Sequence, residues 1–297
     1  MARLAVGEHD KKVERPLRLS GQELNHVTYA IAKMNMIIHD MEGEIAIGDT
    51  LRNPRLLKGS HLETFDLVAA NPMWNQDGYG ADFYDSDGYD RFQFGYPPAS
   101  TADWGWVQHM MASLNDSGRG VVVLDSGSLS RGSGGDGNNK ERDIRRKLVQ
   151  TDLVDGAVLL PDNLFYNTGA PGILLCLNKN KASDRKGRVV LINASGEFEK
   201  GRPKNFIPDP CIARIANAFH AGVDVPGFVR VVSLDEIAKN DFNLAPGRYV
   251  APVATDEAVA LEDAVAALRA LDDDRATADR DLSKLFAELG LEGWERG

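Results

Sequence analysis

The chain contains little cysteine, no long apolar run and no excess of positive charge. Its 297 residues include two cysteines, too few for a disulfide framework and typical of a protein in a reducing cytoplasm. No apolar run approaches the ~20 residues of a membrane span, and the first stretch, MARLAVGEHDKKVERPL, lacks the apolar core of a signal peptide. We therefore expect a cytoplasmic protein that contacts no membrane.

The charge balance limits the ways in which the chain binds nucleic acid. Its 34 basic and 44 acidic residues give a net charge of −10. Non-specific binding to phosphates depends on Lys and Arg, so we expect no strong general attraction to nucleic acid. A nucleic-acid role then requires a local basic surface or a partner. The helical stretch around Lys140, Arg142, Arg145, Arg146 and Lys147, with Arg131 nearby, is such a surface, or a solvated helix face paired with Glu141 and Asp143.

Several catalytic motifs are also missing from the sequence. The six histidines show no metal-ligand spacing with the cysteines, so we predict no metal site. No Walker loop or Gly-x-Ser-x-Gly elbow is present, and no Gly-x-Gly-x-x-Gly turn follows a predicted strand, which argues against a nicotinamide enzyme. Pro210-Cys211 resembles the nucleophile of cytosine-C5 methyltransferases, but Asp209-Pro210 fits a helix start better.

Short apolar runs alternate with helical patterns along the chain. This alternation predicts an α/β fold with a parallel sheet covered on both faces. We predict strands over residues 17–22, 44–49, 65–70, 120–125, 153–161 and 172–179, and helices over 25–40, 106–114 and 139–150. The first helix should have Asn25 as its N-cap and an apolar face formed by Tyr29, Ala32, Met36 and Ile37.

Polar residues follow three successive predicted strands. Glu23 ends the first strand, Asp49 the second, and Asn71-Pro72 the third. Ligands of open α/β sheets bind outside the carboxyl ends of the strands, where acidic residues commonly hold ribose hydroxyls. Each residue also has a simpler interpretation, because Glu23 and Asp49 suit caps and Asn-Pro commonly opens a turn. Three such strand ends in succession favour a common crevice.

Several long segments, in the same order, carry a resemblance to a known family. They include GQELNHVTYAIAKMNMIIHD, FDLVAANPMW, LPDNLFYNTGAPGILLCLNK and NDFNLAPGRYV. Over roughly residues 17–290 the chain resembles the modification (M) subunit of type I restriction–modification systems. Those proteins are N6-adenine DNA methyltransferases that use S-adenosylmethionine. The resemblance implies a Rossmann-like class I methyltransferase sheet with a C-terminal helical tail.

The resemblance implies that Asn71-Pro72-Met73-Trp74 is the catalytic motif, which reads Asn-Pro-Pro-aromatic in the family. An Asn side-chain oxygen and the carbonyl of the next residue accept hydrogen bonds from the adenine amine and orient its nitrogen for in-line attack. Proline fixes the direction of that carbonyl, and the aromatic ring stacks on the flipped base. Met73 departs from the pattern and leaves the turn less rigid.

The resemblance also implies a cofactor site. Glu23 would bind the ribose hydroxyls of S-adenosylmethionine and Asp49 its adenine amino group, with Thr50 and Asn71 beside them. The aromatic-rich loop over residues 75–103 would border the target base, or its rings simply pack on the sheet.

The family's glycine-rich cofactor loop, which follows a first strand, is missing before Glu23. GSGGDG at residues 132–137 lies elsewhere in the pattern and is interpreted as a flexible loop. The sheet should therefore be incomplete at its N-terminal strand, with two exposed edges. The chain is then a truncated enzyme, half of a split enzyme or a remnant that does not methylate. A homodimer or a missing N-terminal half would cover the edges.

The expected partners are DNA, a specificity (S) subunit that supplies most of the base reading, and a restriction subunit. We expect an α/β core over residues 1–185, an extension of it over 186–250, and a helical tail over 251–297. In the tail, apolar residues fall at heptad-like positions: Leu261, Val265, Leu268, Leu282, Phe286 and Leu289. This pattern fits either packing on a partner or folding back on the domain.

Overall fold

The computed structural model describes residues 17–135, 137–250 and 261–288. Contacts divide the chain into two units, Met1–Ala251 and Pro252–Gly297. The described part of the first unit is built from helices and three sheets, of two, six and two strands. The described part of the second unit is a single helix.

A parallel βαβ unit begins the described fold. Strands β1 (Leu19–Glu23) and β2 (Gly43–Ile47) pair in parallel, and helix α1 (His26–Ile38) connects them. The predicted cap is confirmed, because the Asn25 side chain accepts hydrogen bonds from the backbone N–H groups of Val27 and Thr28. These bonds satisfy two of the free donors at the start of α1.

Helix α1 buries less apolar surface than its sequence predicts. Met36 is buried, and Tyr29 and Ala32 are half-buried, but Ile37 is 79% exposed. The placement of Ile37 on the buried face was wrong because each residue turns the helix by about 100°, which carries Ile37 away from Met36. A second apolar face of α1 is open to solvent and consists of Val27, Ile31, Met34, Ile37 and Ile38.

The remaining strands form a small hairpin and a six-stranded sheet. The hairpin pairs β3 (Leu57–Lys58) with β4 (His61–Leu62). The large sheet contains β5 (Phe65–Ala70), β6 (Leu114–Asp125), β7 (Val154–Leu159), β8 (Gly172–Asn178), β9 (Arg188–Asn193) and β10 (Val229–Ser233). Its strand order is β10-β9-β7-β8-β6-β5.

The large sheet is mixed, so the prediction of a parallel sheet was wrong. β5 pairs in parallel with β6, and β7 with β9. β8 runs antiparallel to both β6 and β7, and β10 runs antiparallel to β9. Continuous apolar runs report burial on both faces of a sheet, but they do not report strand direction. β9 and β10 lie in the same sheet as the earlier strands.

Among the described residues, four helices connect these strands, a fifth follows β10, and one more lies in the second unit. They are α2 (Ala81–Asp85), α3 (Asp103–Ala112), α4 (Lys140–Gln150), α5 (Asp209–Ala221), α6 (Leu234–Lys239) and α7 (Leu261–Glu288). Single 3₁₀ turns cover Ser126–Leu129 and Pro246–Arg248. α3 starts before the predicted Trp106, and Leu114 is the first residue of β6. The N-cap of α4 is Asn139, whose side chain accepts from the Arg142 N–H.

The main hydrophobic core lies between the sheet and helices α3 and α4. It contains Trp104 and Met110 from α3, Leu148 from α4, and Leu124 and Leu175 from the sheet, each at most 2% exposed. A second, smaller cluster lies around Val158 and Ile192, and Phe219 of α5 packs against it. The sheet is thus covered on both faces, although by different stretches of chain.

The edges of β1 and β5 are among the strand edges that are free of pairing within the described residues. β1 pairs only with β2, and β5 only with β6. The expected exposure of two edges is therefore confirmed for these residues. On β5, Val68 packs against the main core, whereas Leu67, on the opposite face, is 64% exposed. This end of the sheet is bare on one face.

In the second unit, α7 is one continuous helix of 28 residues. Leu268, Leu271 and Leu285 are 61%, 64% and 55% exposed. Of the predicted heptad positions, Leu289 lies outside the described residues. No helix in the described ranges is both long enough and apolar enough to cross a membrane.

We expect Leu148→Ala to destabilise the first unit by about 2–5 kcal/mol, because it leaves a cavity in a core position that is fully buried. Leu67→Ala is the matched control, and its cost should stay below about 1 kcal/mol because the side chain is largely exposed. Urea unfolding of both variants measures the difference. Equal losses would contradict the assignment of the bare face.

Candidate functional site

The turn after β5 presents an exposed amide beside a half-buried indole. Asn71 and Met73 are exposed, Met73 by 70%, while Pro72 and Trp74 are half-buried. Within the described residues, no side chain forms a hydrogen bond with the Asn71 amide. The oxygen and nitrogen of that amide are therefore open to a ligand.

Trp74 lies against a second aromatic ring. Its centroid is 4.9 Å from that of Phe165, with the ring planes 72° apart, a favourable edge-to-face geometry. Gly172 lies under both rings. A Cβ atom built there would come within 2.7 Å of Phe165 Cε2 and 3.2 Å of Trp74 Cη2. The absence of a side chain at Gly172 thus allows the two rings to meet in a corner.

The segment that carries Phe165, residues 160–171, connects β7 to β8. Because β8 is antiparallel to β6 and β7, this segment starts and ends at the sheet edge where β5 and β6 end. Lys204 holds the segment: its Nζ donates to Asn163 Oδ1 at 2.8 Å and to the Thr168 carbonyl at 3.0 Å. Phe165 is therefore fixed on the same side of the molecule as Trp74.

The chain that leaves the turn is tied to the start of α3. Asn75 has a left-handed φ of 52°, which Asn tolerates better than most residues. Its N–H donates to Asp103 Oδ1 at 3.0 Å. A second tether joins the Ala102 N–H to the Gln76 carbonyl at 2.8 Å. These two bonds fix the exit of the turn.

Glu23 and Asp49 end neighbouring parallel strands, and both also hold local backbone. Glu23 Oε1 accepts from the Asn25 N–H at 2.7 Å. Asp49 Oδ1 accepts from the N–H groups of Leu51 and Arg52 at 2.9 and 3.0 Å. The simpler interpretation, in which both residues cap local structure, is therefore correct. It leaves further lone pairs on each carboxylate, since a carboxylate has about four acceptor positions.

A tyrosine connects Asp49 to the segment after β5. Tyr79, which is 3% exposed, donates its hydroxyl to Asp49 Oδ2 at 3.2 Å. Burial and then the neighbouring Asp49 carboxylate raise the pKa of Tyr79 to about 12, so its hydroxyl stays protonated and remains a donor. The carboxyl end of β2 and the chain after β5 therefore meet.

Most rings of the aromatic loop pack against one another. Tyr79, Tyr84 and Phe92 are buried in a cluster with Leu51, and Phe83 packs against it. Burial raises the pKa of Tyr84 well above its ordinary value. The packing interpretation is correct for these rings.

Thr50 lies in the turn that Asp49 begins. Its carbonyl accepts from Arg91 Nη1 at 3.4 Å, and the Leu51 carbonyl accepts from Arg91 Nη2 at 2.8 Å. Arg91 also forms a buried ion pair with Asp87 at 2.8 Å. Thr50 is therefore held through its backbone.

His109 of α3 is a packing residue, as its place on the helix suggests. Its Nδ1 lies 3.3 Å from Arg91 Nη1, and Arg is a donor only, so this nitrogen accepts. Burial, and then the charge of Arg91, lower the pKa of His109 to about 3. The ring is neutral at physiological pH.

The basic stretch of α4 is only partly a surface. Arg145 is fully buried and donates to the carbonyls of Ser128, Arg131 and Phe242. Burial lowers the pKa of Arg145 to about 10, so it still carries its charge at neutral pH. Arg146 pairs with Asp143 at 3.3 Å. Of the basic residues on this helix, Lys140 and Lys147 are exposed.

The glycine-rich loop over residues 132–137 is anchored rather than free. Arg142 donates to the carbonyls of Gly132, Gly135 and Gly137. Asp241 accepts from the Gly134 N–H at 2.7 Å through its side chain, and from the Ser133 hydroxyl through its carbonyl. The expectation of a flexible loop is thus contradicted for the described residues, since residue 136 lies outside them. The contacts with Asp241 come from a residue distant in sequence, which the local pattern does not reveal.

Cys211 does not have the environment of a nucleophile. It lies in the first turn of α5, which begins at Asp209 as predicted. Partial burial and the neighbouring Glu197 raise the pKa of the Cys211 thiol, whereas an activated thiol has a lowered pKa. In the described ranges, no group of three or more His, Cys, Asp and Glu side chains is arranged to hold a metal ion.

Comparison with known families decides what this arrangement belongs to. Residues 2–258 match the model of the N-6 DNA methylase family. The chain belongs to this family. It is 42% identical over 255 residues to the type I restriction enzyme MjaVII methylase subunit of Methanocaldococcus jannaschii, covering 82% of this chain and 42% of that protein. The HindI methylase subunit of Haemophilus influenzae is 34% identical over 241 residues, covering 77% of this chain and 51% of that protein.

A solved structure of a type I restriction-modification methyltransferase subunit has the same fold. The type I restriction-modification methyltransferase subunit from Streptococcus thermophilus superposes with a TM-score of 0.71 at 29% identity, covering 84% of this chain and 57% of that one. The fold is thus the Rossmann-like class I methyltransferase fold. This N-6 DNA methylase chain spans about half the length of the curated relatives that it matches.

Sequence reasoning missed three residues of this candidate site. Phe165 and Gly172 lie in a segment that carries the resemblance, but no role was assigned to them. In the sequence, nothing distinguishes Tyr79 from the other aromatic residues of the loop over residues 75–103. The signal for Gly172 is a glycine at the start of an apolar strand, which indicates a close approach at that point.

The buried neutral His109 predicts an acid-sensitive stability. Its folded pKa of about 3 lies below the ordinary value of 6.5, so the unfolded chain binds a proton first. Its contribution is complete above pH 6.5 and is lost as the pH falls toward 3. We expect the unfolding free energy of the wild type to fall more between pH 7 and 4.5 than that of His109→Gln. Urea titrations at both pH values test this, and equal losses would refute it.

Proposed function

We propose that this chain carries the target-base site of a DNA adenine-N6 methyltransferase, the modification subunit of a type I restriction–modification system. The observation that carries the proposal is the turn at Asn71–Trp74. An open amide and an indole set against Phe165 lie together at the carboxyl end of β5, in a chain that belongs to the N-6 DNA methylase family.

In this proposal Asn71 and Pro72 orient the reacting nitrogen. The adenine amine is a weak nucleophile, because its lone pair is delocalised into the ring. The Asn71 side-chain oxygen and the Pro72 carbonyl accept hydrogen bonds from the two N–H groups of the amine. The nitrogen lone pair then points away from these two acceptors. Proline fixes the direction of that carbonyl through its locked φ. Orientation and charge complementarity then supply most of the rate, without a covalent intermediate.

The two aromatic rings hold the base after it leaves the duplex. Stacking on Trp74 offsets part of the cost of unstacking, and Phe165 closes one side of the corner. Met73 is 70% exposed, so it adds little packing to the turn. We propose that the tether at Asn75, rather than the third motif residue, supplies the rigidity of the turn.

The carboxylates of Glu23 and Asp49 are hydrogen-bond acceptors that fit part of S-adenosylmethionine, the cofactor that supplies the methyl group when bound. The two carboxylates end adjacent parallel strands, as suits ribose hydroxyls and an adenine amino group. Asp49 already accepts three hydrogen bonds, from Leu51, Arg52 and Tyr79, and has about one position left. Thr50 and Asn71 would lie beside the cofactor.

The proposed partners are DNA, a specificity subunit and a restriction subunit. The chain is acidic, with a net charge of −10, which opposes broad attraction to DNA phosphates. This charge fits a complex in which a partner reads the bases. The exposed leucines of α7 offer that partner an apolar stripe.

A second candidate is a split enzyme, in which the chain is silent until another polypeptide segment completes its sheet. The free edges of β1 and β5 favour it. The hydrogen bond between Asp49 and Tyr79 joins the chain after β2 to the chain after β5. A strand with two free edges could pair with both β1 and β5. A second folded copy offers only edges that are paired on one side, so it is the weaker occupant.

We expect Asn71→Ala to lower methyl transfer by about 100-fold or more, because it removes an acceptor that orients the amine. Tritium transfer from labelled S-adenosylmethionine to adenine N6 in DNA measures the effect. Asn180→Ala is the control, since Asn180 is an exposed amide just after β8, at the opposite sheet edge. A wild type that is folded, binds the cofactor and transfers no methyl would overturn the proposal.

Calorimetry and hydrogen exchange separate the second candidate from the first. For a split enzyme we expect a folded monomer that gives no heat with S-adenosylmethionine, and fast amide exchange on the free edge of β5 compared with β6. Heat with the isolated chain would favour a complete enzyme. A dimer that Leu67→Lys dissociates would instead identify a second copy as the occupant.

A further inference from the structure

One arginine gathers three carboxylates from separate parts of the fold. Arg131 contacts Asp103 Oδ2 at 2.5 Å, Asp125 Oδ2 at 2.6 Å and Glu141 Oε2 at 2.8 Å. Asp103 starts α3, Asp125 ends β6, and Glu141 lies in the first turn of α4. The Asp103 side chain is completely buried, and a buried carboxylate without a partner is strongly unfavourable. Arg131 is therefore the ion-pair partner of Asp103 in the interior.

Arg131 carries its positive charge at neutral pH. Burial acts to lower the pKa of Arg131, but hydrogen bonds and charges from Glu141 and Asp103 outweigh it and raise that pKa above the ordinary value. Bonds between a guanidinium and carboxylates are about twice as strong as neutral hydrogen bonds. The position of Asp103 is thus fixed by a strong bond on one of its oxygens.

The other oxygen of Asp103 reaches the proposed base-binding turn. Asp103 Oδ1 accepts from the Asn75 N–H at 3.0 Å, and Asn75 directly follows Trp74. The left-handed φ of Asn75, 52°, is sparsely populated and persists only where the surroundings impose it. Without the bond to Asp103, the backbone at Asn75 would be freer to relax and change the direction of Trp74.

We propose that Asp103 is a positioning residue for the turn at Asn71–Trp74, acting through the Asn75 N–H and held in place by Arg131. The functional role of Asp103 in this inference rests on the proposed function, whereas the contacts of Asp103 do not depend on it. Asp103 touches no substrate. It connects the turn to β6 and α4, so that the amide of Asn71 and the ring of Trp74 hold one direction before the base arrives.

The test compares Asp103→Ala and Asp103→Asn with the control Asp155→Asn. Asp155 is also a buried carboxylate paired with an arginine, Arg185, at 3.1 Å, and it lies on β7, away from the turn. The first measurement is amide exchange of Asn75 by NMR, relative to core amides of β6. The second is the affinity for a single-stranded oligonucleotide carrying 2-aminopurine, whose fluorescence reports stacking on Trp74.

For Asp103→Ala we expect Asn75 exchange to rise by about tenfold or more and the affinity for the 2-aminopurine oligonucleotide to fall by a similar factor. Asp103→Asn keeps an acceptor and should recover most of the Asn75 protection. Asp155→Asn should change neither measurement beyond about twofold. The proposal is overturned if Asp155→Asn accelerates Asn75 exchange as much as Asp103→Ala does, or if Asp103→Ala leaves it unchanged.

The two measurements distinguish an error in the proposed base site from an error in the positioning role. If the wild type does not quench 2-aminopurine more than Trp74→Ala does, the proposed base site is wrong, while the exchange of Asn75 still decides the positioning role. If Asp103→Ala does not fold, Arg131→Lys replaces it. Lysine keeps one charge but cannot bridge three carboxylates, so Asn75 exchange should again rise above that of Asp155→Asn.

Discussion

The site depends on how the two sheets of the first unit are joined, because they share no strand pairing in the described residues. Side chains make the connection. Gln22 bonds the backbone of Asn53 and Arg55, Arg91 bonds that of Thr50 and Leu51, and Tyr79 bonds Asp49. Such hydrogen bonds contribute about 1–3 kcal/mol net each, those to charged groups the most, so the relative position of Glu23, Asp49 and Asn71 rests on a small number of contacts around residues 49–55.

Strands and helix caps were predicted well where neighbouring residues in the sequence determine them. FDLVAA matches β5 residue for residue, and the Asn25 cap is visible from the residue type and the apolar pattern that follows it. Strand direction could not be predicted, because a buried apolar run has the same pattern in a parallel and in an antiparallel strand. The burial of Arg145 was equally hidden, because its acceptors at Ser128 and Phe242 come from other segments of the chain.

The candidate site shows why the two interpretations of a strand-end carboxylate were hard to separate. Glu23 and Asp49 do cap local structure, and this role leaves lone pairs for a ligand. The structural interpretation therefore does not exclude the functional one. Phe165 was missed for a different reason: only the folded chain brings it to Trp74, and a single aromatic in a loop carries no distinguishing pattern.

The reversal of β8 has a consequence for how such a protein diversifies. The segment over residues 160–171 leaves and re-enters the sheet at one edge, so its length and composition are free to vary while every strand keeps its register. The Asn71 amide and the ring of Phe165, which border the proposed base site, are thereby encoded on separate stretches of gene. Substitutions within residues 160–171 can therefore alter the surroundings of the turn while the Asn71–Trp74 sequence stays the same.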